Sequence, residues 1–256
     1  MGVSLVAPPW ADIADAATGV TVTTEHASYL KANLYNRLPH KPYKATGVGT
    51  TIAFTFAAPV TLKCVSLHNT NLDGAVATCA LTNNNGLSSS VVLPAKTRGG
   101  RYRDPWRDLR TSGGAATASV WTFTIASNSA NVAIGEIGLW DTLTETGIKW
   151  GMKKNVIHRR IQHRTQRGIP RRFDLDTRYA TFQGEAGITG LNRDMWEELN
   201  EGAKGTNKGF LFVLDENVNE TFYTTFAEEE FTNTFDTPDW EPTDVLLEQW
   251  CTGRPL

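Results

Sequence analysis

Few residues in this sequence stand at a spacing that a chemical step needs. Asp215, Asn217 and Asn219 alternate in DENVNE as at the start of a calcium loop. Such a loop wants Gly at its sixth position and Glu at its twelfth, where Glu220 and Phe226 stand instead. A polar hairpin turn between GFLFVLD and ETFYTTFA accounts for the same residues. His158 and His163 are five apart, which suits neither one helix face nor one strand face, and His26, His40 and His68 are scattered. No HExxH, GxSxG or Walker loop occurs. TGVGTTI carries two glycines of a dinucleotide loop without the third and leads into a strand. Glu228, Glu229 and Glu230 are adjacent acids, the pattern of a solvated face. Cys64, Cys79 and Cys251 include no CxxC pair and read as reduced, buried thiols. The expectation is no enzyme, no metal site and no cofactor.

Charge placement is more informative than its total. Lys plus Arg number 25 and Asp plus Glu 27, a formal net charge of −2, so the whole chain is no dedicated nucleic-acid binder. From Lys149 to Arg172 there are nine Lys or Arg and no acid; from Asp215 to Glu248 there are eleven Asp or Glu and no base. Three readings are open: pairing within the domain, binding of a separate anionic ligand, or copies of the chain meeting basic segment to acidic segment. The loop 96–111, KTRGGRYRDPWRDLRT, is basic and aromatic together. Arg101, Tyr102, Arg103, Trp106 and Arg107 are therefore expected at a contact with another chain, with local packing of Trp106 as the alternative.

The elements that must position these residues divide the 256-residue chain in two. Residues 1–145 are expected to form an antiparallel β-sandwich. In TIAFTFAAPV, Ile52, Phe54 and Phe56 share a face; Val60, Leu62 and Cys64 repeat the alternation, as do Trp121, Phe123 and Ile125. NTNLDG and TNNNGLSSS are turn clusters. In residues 146–256, Phe173, Leu175, Thr177, Tyr179 and Thr181 predict a long strand. A helix is expected over Asn192–Ala203, with Trp196 and Leu199 packed on strands around Phe212 and Phe226. GFLFVLD, ETFYTTFA and DVLLEQW supply further strands, so the fold class is mainly β. No segment approaches the roughly 18 apolar residues of a membrane span, and no membrane insertion is expected.

Two resemblances follow from these segments. ANLYNRLPHKPYKATGVGTTIAFTFAAPVTLKCVSLHNTNLDGAVATCALTNNNG, with the strand GEIGLW, resembles the galactose-binding-like jelly-rolls found in tailed-phage virion proteins. The order of basic strands, LNRDMWEELNEGAKG helix, GFLFVLD, hairpin and DVLLEQW resembles the tail-tube-like ring domain of distal tail and tail-hub proteins. The resemblance implies a structural protein of a phage tail tip, located in the virion and assembled in the host cytoplasm. Its partners would be further copies in a hexameric ring, neighbouring tail proteins and passing DNA. The alternative is a carbohydrate-binding receptor-recognition module that takes a host glycan. In the ring reading, Arg159, Arg160, Arg164 and Arg167 would face a subunit interface. Glu228, Glu229 and Glu230 would face the channel, because a basic lumen would hold the phosphate backbone.

Overall fold

The computed structural model describes residues 4–94, 104–146, 153–164, 170–188, 199, 209–215, 220–226 and 241–249. It is mainly β and forms three sheets in which every pairing is antiparallel. Five strands make the first sheet: β2 (Gly19–Val22), β4 (Thr50–Thr61), β9 (Thr117–Ile125), β6 (Cys79–Asn83) and β7 (Ser88–Val91), in that order across it. Four make the second: β3 (Tyr43–Lys44), β10 (Ala133–Trp140), β5 (Cys64–Thr70) and β8 (Trp106–Asp108).

The inner faces of these two sheets share one core. Ile52 and Phe54 of β4, Leu81 of β6, and Trp121 and Phe123 of β9 pack with Tyr43, Val65, Leu67, Ile134 and Ile137 from the facing sheet. The alternation in β4 and β9 is the cause, since successive side chains point to opposite faces. Phe54 meets Phe123 edge to face, with centroids 6.4 Å apart. β4 is bulged between Thr55 and Val60, where Pro59 has no N–H to give the ladder. The alternation of Val60, Leu62 and Cys64 does not mark one strand. Leu62 N donates to Ala116 O and Lys63 N to Trp140 O, so the chain turns a corner there from one sheet to the other.

The asparagine run of TNNNG has a local reason. Asn83 Oδ1 accepts from the N–H groups of Asn85 and Leu87, closing the hairpin, while Gly86 takes a φ of 82°. Asn84 Oδ1 accepts from Ser119 and Val120 N–H, which ties the turn to β9.

The third sheet has seven strands, in the order β11 (Thr144–Glu145), β1 (Leu5–Ala7), β14 (Phe210–Asp215), β15 (Glu220–Phe226), β16 (Glu241–Gln249), β13 (Pro170–Ile188) and β12 (Lys153–Arg164). The strands expected in the second half are all present. β14 and β15 form the hairpin expected around DENVNE, with Asp215 opposite Glu220. The first strand of the chain lies here and not in the sandwich: Leu5 pairs with Val213, Val6 with Phe212 and Ala7 with Leu211. Leu5, Ala7, Ala11, Cys64, Trp106, Trp140, Leu211, Val213 and Tyr223 form a second buried core where sandwich and sheet meet. The helix expected over 192–203 lies outside the described residues except Leu199, which is helical and buried.

Phe123 is fully buried at the centre of the sandwich. Phe123→Ala should lower the unfolding free energy by about 3–5 kcal/mol, the range for a large aromatic lost from a core. Denaturant titration followed by tryptophan fluorescence measures this. A loss under about 1 kcal/mol would contradict the packing described.

Candidate functional site

The loop after β2 is built to present side chains outward. Its ends are clipped to β3: His26 N donates to Lys44 O at 2.9 Å and Lys44 N returns a bond to Tyr29 O at 3.2 Å. Within the loop, Tyr29 N donates to His26 O, Ser28 N to His26 Nδ1, and Lys31 N to the Glu25 carboxylate. Beneath it, the Tyr43 hydroxyl donates to Thr24 O and lies 3.1 Å from Thr50 Oγ1. Burial, the main cause, raises the Tyr43 pKa.

On this base the His26 ring meets Tyr29 edge to face, with centroids 5.2 Å apart. Lys44 Nζ lies 4.2 Å from the Tyr29 ring centre, a cation–π contact. Glu25, His26 and Leu30 are exposed, Leu30 to 51%, and Tyr29 is half-buried. A held aromatic ring, an apolar neighbour and polar groups of both signs form a binding surface for a ligand with apolar and hydroxylated sides. Sequence reasoning missed it because HASYL has no periodicity, and only the return of β3 brings Lys44 to Tyr29.

A second cluster is buried at the junction. Trp140 Nε1 donates to Ser66 Oγ at 2.7 Å, and Ser66 Oγ is 2.8 Å from His68 Nε2. His68 Nδ1 stands 3.2 Å from Asp104 Oδ2, too oblique for a hydrogen bond. The order serine, histidine, aspartate is that of a nucleophile relay. Here Ser66 is 0% and His68 1% exposed, and Tyr223 stacks on the imidazole at 4.3 Å. No substrate can reach the hydroxyl in this arrangement, and the cluster ties β5 and β10 to β15. Asp104 completes the tie: its N–H donates to Thr221 O, its carbonyl accepts from Thr221 Oγ1, and its Oδ2 accepts from Tyr223 N at 2.6 Å. Ser66 and His68 are two apart on a strand and so share a face, a signal readable in CVSLHNT; their long-range partners leave none.

Two more carboxyls are enclosed nearby. Burial pushes Asp12 up to about 6, although its Oδ1 accepts from the N–H groups of Leu139 and Ala14. Burial, with Asp12 adding to it, pushes Glu136 up to about 9, and neither of its carboxyl oxygens has a hydrogen-bond partner. Arg37 reaches Asp12 only through its carbonyl and pairs with Asp15 at 3.1 Å.

Of the residues singled out from the sequence, Trp106 is the clearest correction. It is 2% exposed in the junction core, because the turn into β8 carries it under the sheet and not outward to a partner. Arg107, beside it, is half-buried, while Arg101, Tyr102 and Arg103 lie outside the described residues. Arg159, Arg160 and Arg164 fall on β12, the last strand of the seven-stranded sheet; Arg167, Glu228, Glu229 and Glu230 lie outside the described residues. Cys64 and Cys79 are buried free thiols whose pKa values burial raises, Cys79 to about 12, and Cys251 lies outside the described residues. Among the described residues no group of three potential metal ligands comes together, and no helix is long and apolar enough to cross a membrane.

No family model matches the chain, and no curated protein does. Several solved structures are similar over half of it. One is chitosan-binding module 1 of a chitosanase/glucanase from Paenibacillus sp. IK-5: 14% identity, TM-score 0.36, covering 50% of this chain and 98% of that one. Another is the lectin binding domain of lectinolysin, as a His 62 mutant with Lewis b: 8% identity, TM-score 0.39, covering 50% and 96%. A third is the CBM32 of AlyQ with 4,5-unsaturated mannuronic acid: 17% identity, TM-score 0.34, covering 49% and 96%.

The enclosed carboxyls set a pH dependence. Both bind a proton more tightly in the folded chain than in the unfolded one, so stability falls as pH rises. The penalty from Asp12 grows from 3.8 and is complete above about 6; that from Glu136 grows from 4.5 and is complete above about 9. Melting temperature should therefore decline between pH 5 and pH 9, and Glu136→Gln should flatten the decline above pH 6. Scanning calorimetry across that range checks it, and a parallel wild-type and variant profile would remove Glu136 as the cause.

Proposed function

We propose that this chain is a non-enzymatic recognition protein whose sandwich binds carbohydrate through the loop that holds His26, Tyr29 and Leu30. The observation that carries the reading is the Tyr29 ring fixed between Lys44 and His26 at an open surface. A pyranose has an apolar C–H face and a rim of hydroxyls. The ring and Leu30 suit the face; the Glu25 carboxylate, the His26 imidazole and the Lys44 ammonium suit the rim. The resemblance of residues 32–86 to galactose-binding-like jelly-rolls points the same way. Neutral and acidic glycans displayed on an array, followed by calorimetric titration of the best binder, test it. Tyr29→Ala should weaken binding at least tenfold while leaving the melting temperature within a few degrees. A variant that binds like the wild type, or a wild type that binds no glycan, defeats the proposal.

A second reading concerns where such a module would work. The strand β1, stitched between β11 and β14, joins the sandwich to the seven-stranded sheet through backbone bonds and a shared core. A recognition sandwich carried on a second sheet suits a virion tail tip. There, copies in a hexameric ring and neighbouring tail proteins would hold the sheet, DNA would pass as cargo, and the sandwich would meet the host glycan. Assembly in the host cytoplasm follows from that role.

A further inference from the structure

The two longest strands at the sheet margin do not end together with their neighbours. β13 runs from Pro170 to Ile188, yet β16 pairs with it only from Thr181 to Ile188. The remainder of β13 pairs with β12 alone, from Val156 opposite Ala180 to Arg164 opposite Pro170, and β12 is the edge of the sheet. Residues 156–164 and 170–180 therefore continue past the sheet as a two-stranded ribbon about 35 Å long at the usual rise per residue. A ribbon of two strands is marginal in water by itself and presents open backbone groups along both margins.

Register gives the ribbon two unlike faces. Ile157 lies opposite Tyr179 and Ile161 opposite Phe173, and with Leu175 they occupy positions of one face by strand alternation. His158, Arg160, Gln162, Arg172, Asp174, Asp176 and Arg178 occupy the other. Between residues 158 and 178 there are seven Arg against two Asp. The apolar face calls for a protein surface, and the charge excess calls for an acidic one. Polyanion binding alone would leave Ile157, Ile161, Phe173, Leu175 and Tyr179 without a purpose.

This chain carries such an acidic partner and keeps it from its own ribbon. Of the eleven acids between Asp215 and Glu248, those of β16 (Glu241, Asp244 and Glu248) pair along Thr181–Ile188, at the opposite end of β13. Edge-to-edge pairing of two β12 strands in antiparallel register would set Lys153 against Arg164 and repel. We infer that the β12–β13 ribbon is an arm that docks, head to tail, on the acidic 215–248 segment of a second copy of this chain. The inference rests on the assembly reading above and names the surface that makes it.

Light scattering of the full chain over a range of concentrations at 0.1 M salt tests both. The wild type should self-associate, and Arg172→Glu with Arg178→Glu should raise the concentration for half-association at least tenfold with an unchanged melting profile. Mixing that variant with a Glu228→Lys, Glu229→Lys, Glu230→Lys chain should restore association, and 1 M salt should weaken the wild type. Should the Glu pair fail to fold, Arg172→Gln with Arg178→Gln should give the same shift to a lesser extent. A variant that associates as tightly as the wild type overturns the arm and leaves assembly standing. A wild type that stays monomeric throughout overturns both. Loss of dextran sulfate binding with self-association intact makes the arm a polyanion site and overturns docking on a second copy.

Discussion

Asp104 is the residue through which sandwich and sheet become one body. Its backbone and carboxylate take up Thr221 and Tyr223 on β15, along the stretch that β16 leaves uncovered because it pairs only with Thr224–Phe226. A buried strand margin with unpaired N–H groups would be costly, and a single side chain and peptide unit from the sandwich satisfy it. His68, stacked on Tyr223, and Ser66, held by Trp140, fill the space around that contact with groups that are themselves bonded. The junction core of Leu5, Trp106, Trp140 and Leu211 then has polar partners on its inner side, which suits a fixed attachment.

Such an attachment separates two tasks physically. The His26–Tyr29–Lys44 surface is clipped to β3 of the four-stranded sheet, and Asp104 and His68 link that sheet to β15. Recognition groups held on short, doubly anchored loops lose little freedom when a ligand arrives, which favours affinity without a large contact area. The Ser66–His68–Asp104 order shows how residue types alone mislead: the same three groups serve acyl transfer when open to solvent and cohesion when closed under Tyr223.

Strand alternation was legible wherever one face meets a core. Ile52, Phe54, Trp121 and Phe123 were readable as inward residues, and the long strand through Phe173 and Tyr179 was readable as well. Leu199 shows the buried position that the helix pattern implied. What could not be read depended on distant partners. LVA is too short to alternate, so nothing local assigns β1 to a sheet beginning two hundred residues later. Trp106 sits in a basic, aromatic stretch that reads as an exposed contact, and only the pairing of β8 with β5 turns it under cover. The corner at Leu62 and Lys63 breaks an alternation that continues in the sequence but not in space.

The placement of β1 also orders events during synthesis. Ala7 emerges from the ribosome long before Leu211, its partner in the sheet. At about 5–20 residues per second the gap is roughly 10–40 s. Throughout that interval the sandwich can close around its own core, while Leu5 and Val6 have only the two-residue strand β11 to pair with once it appears. The nascent chain therefore carries an apolar strand at its leading end that stays unburied until the C-terminal sheet is made, a state that chaperone binding or a neighbouring nascent chain can intercept.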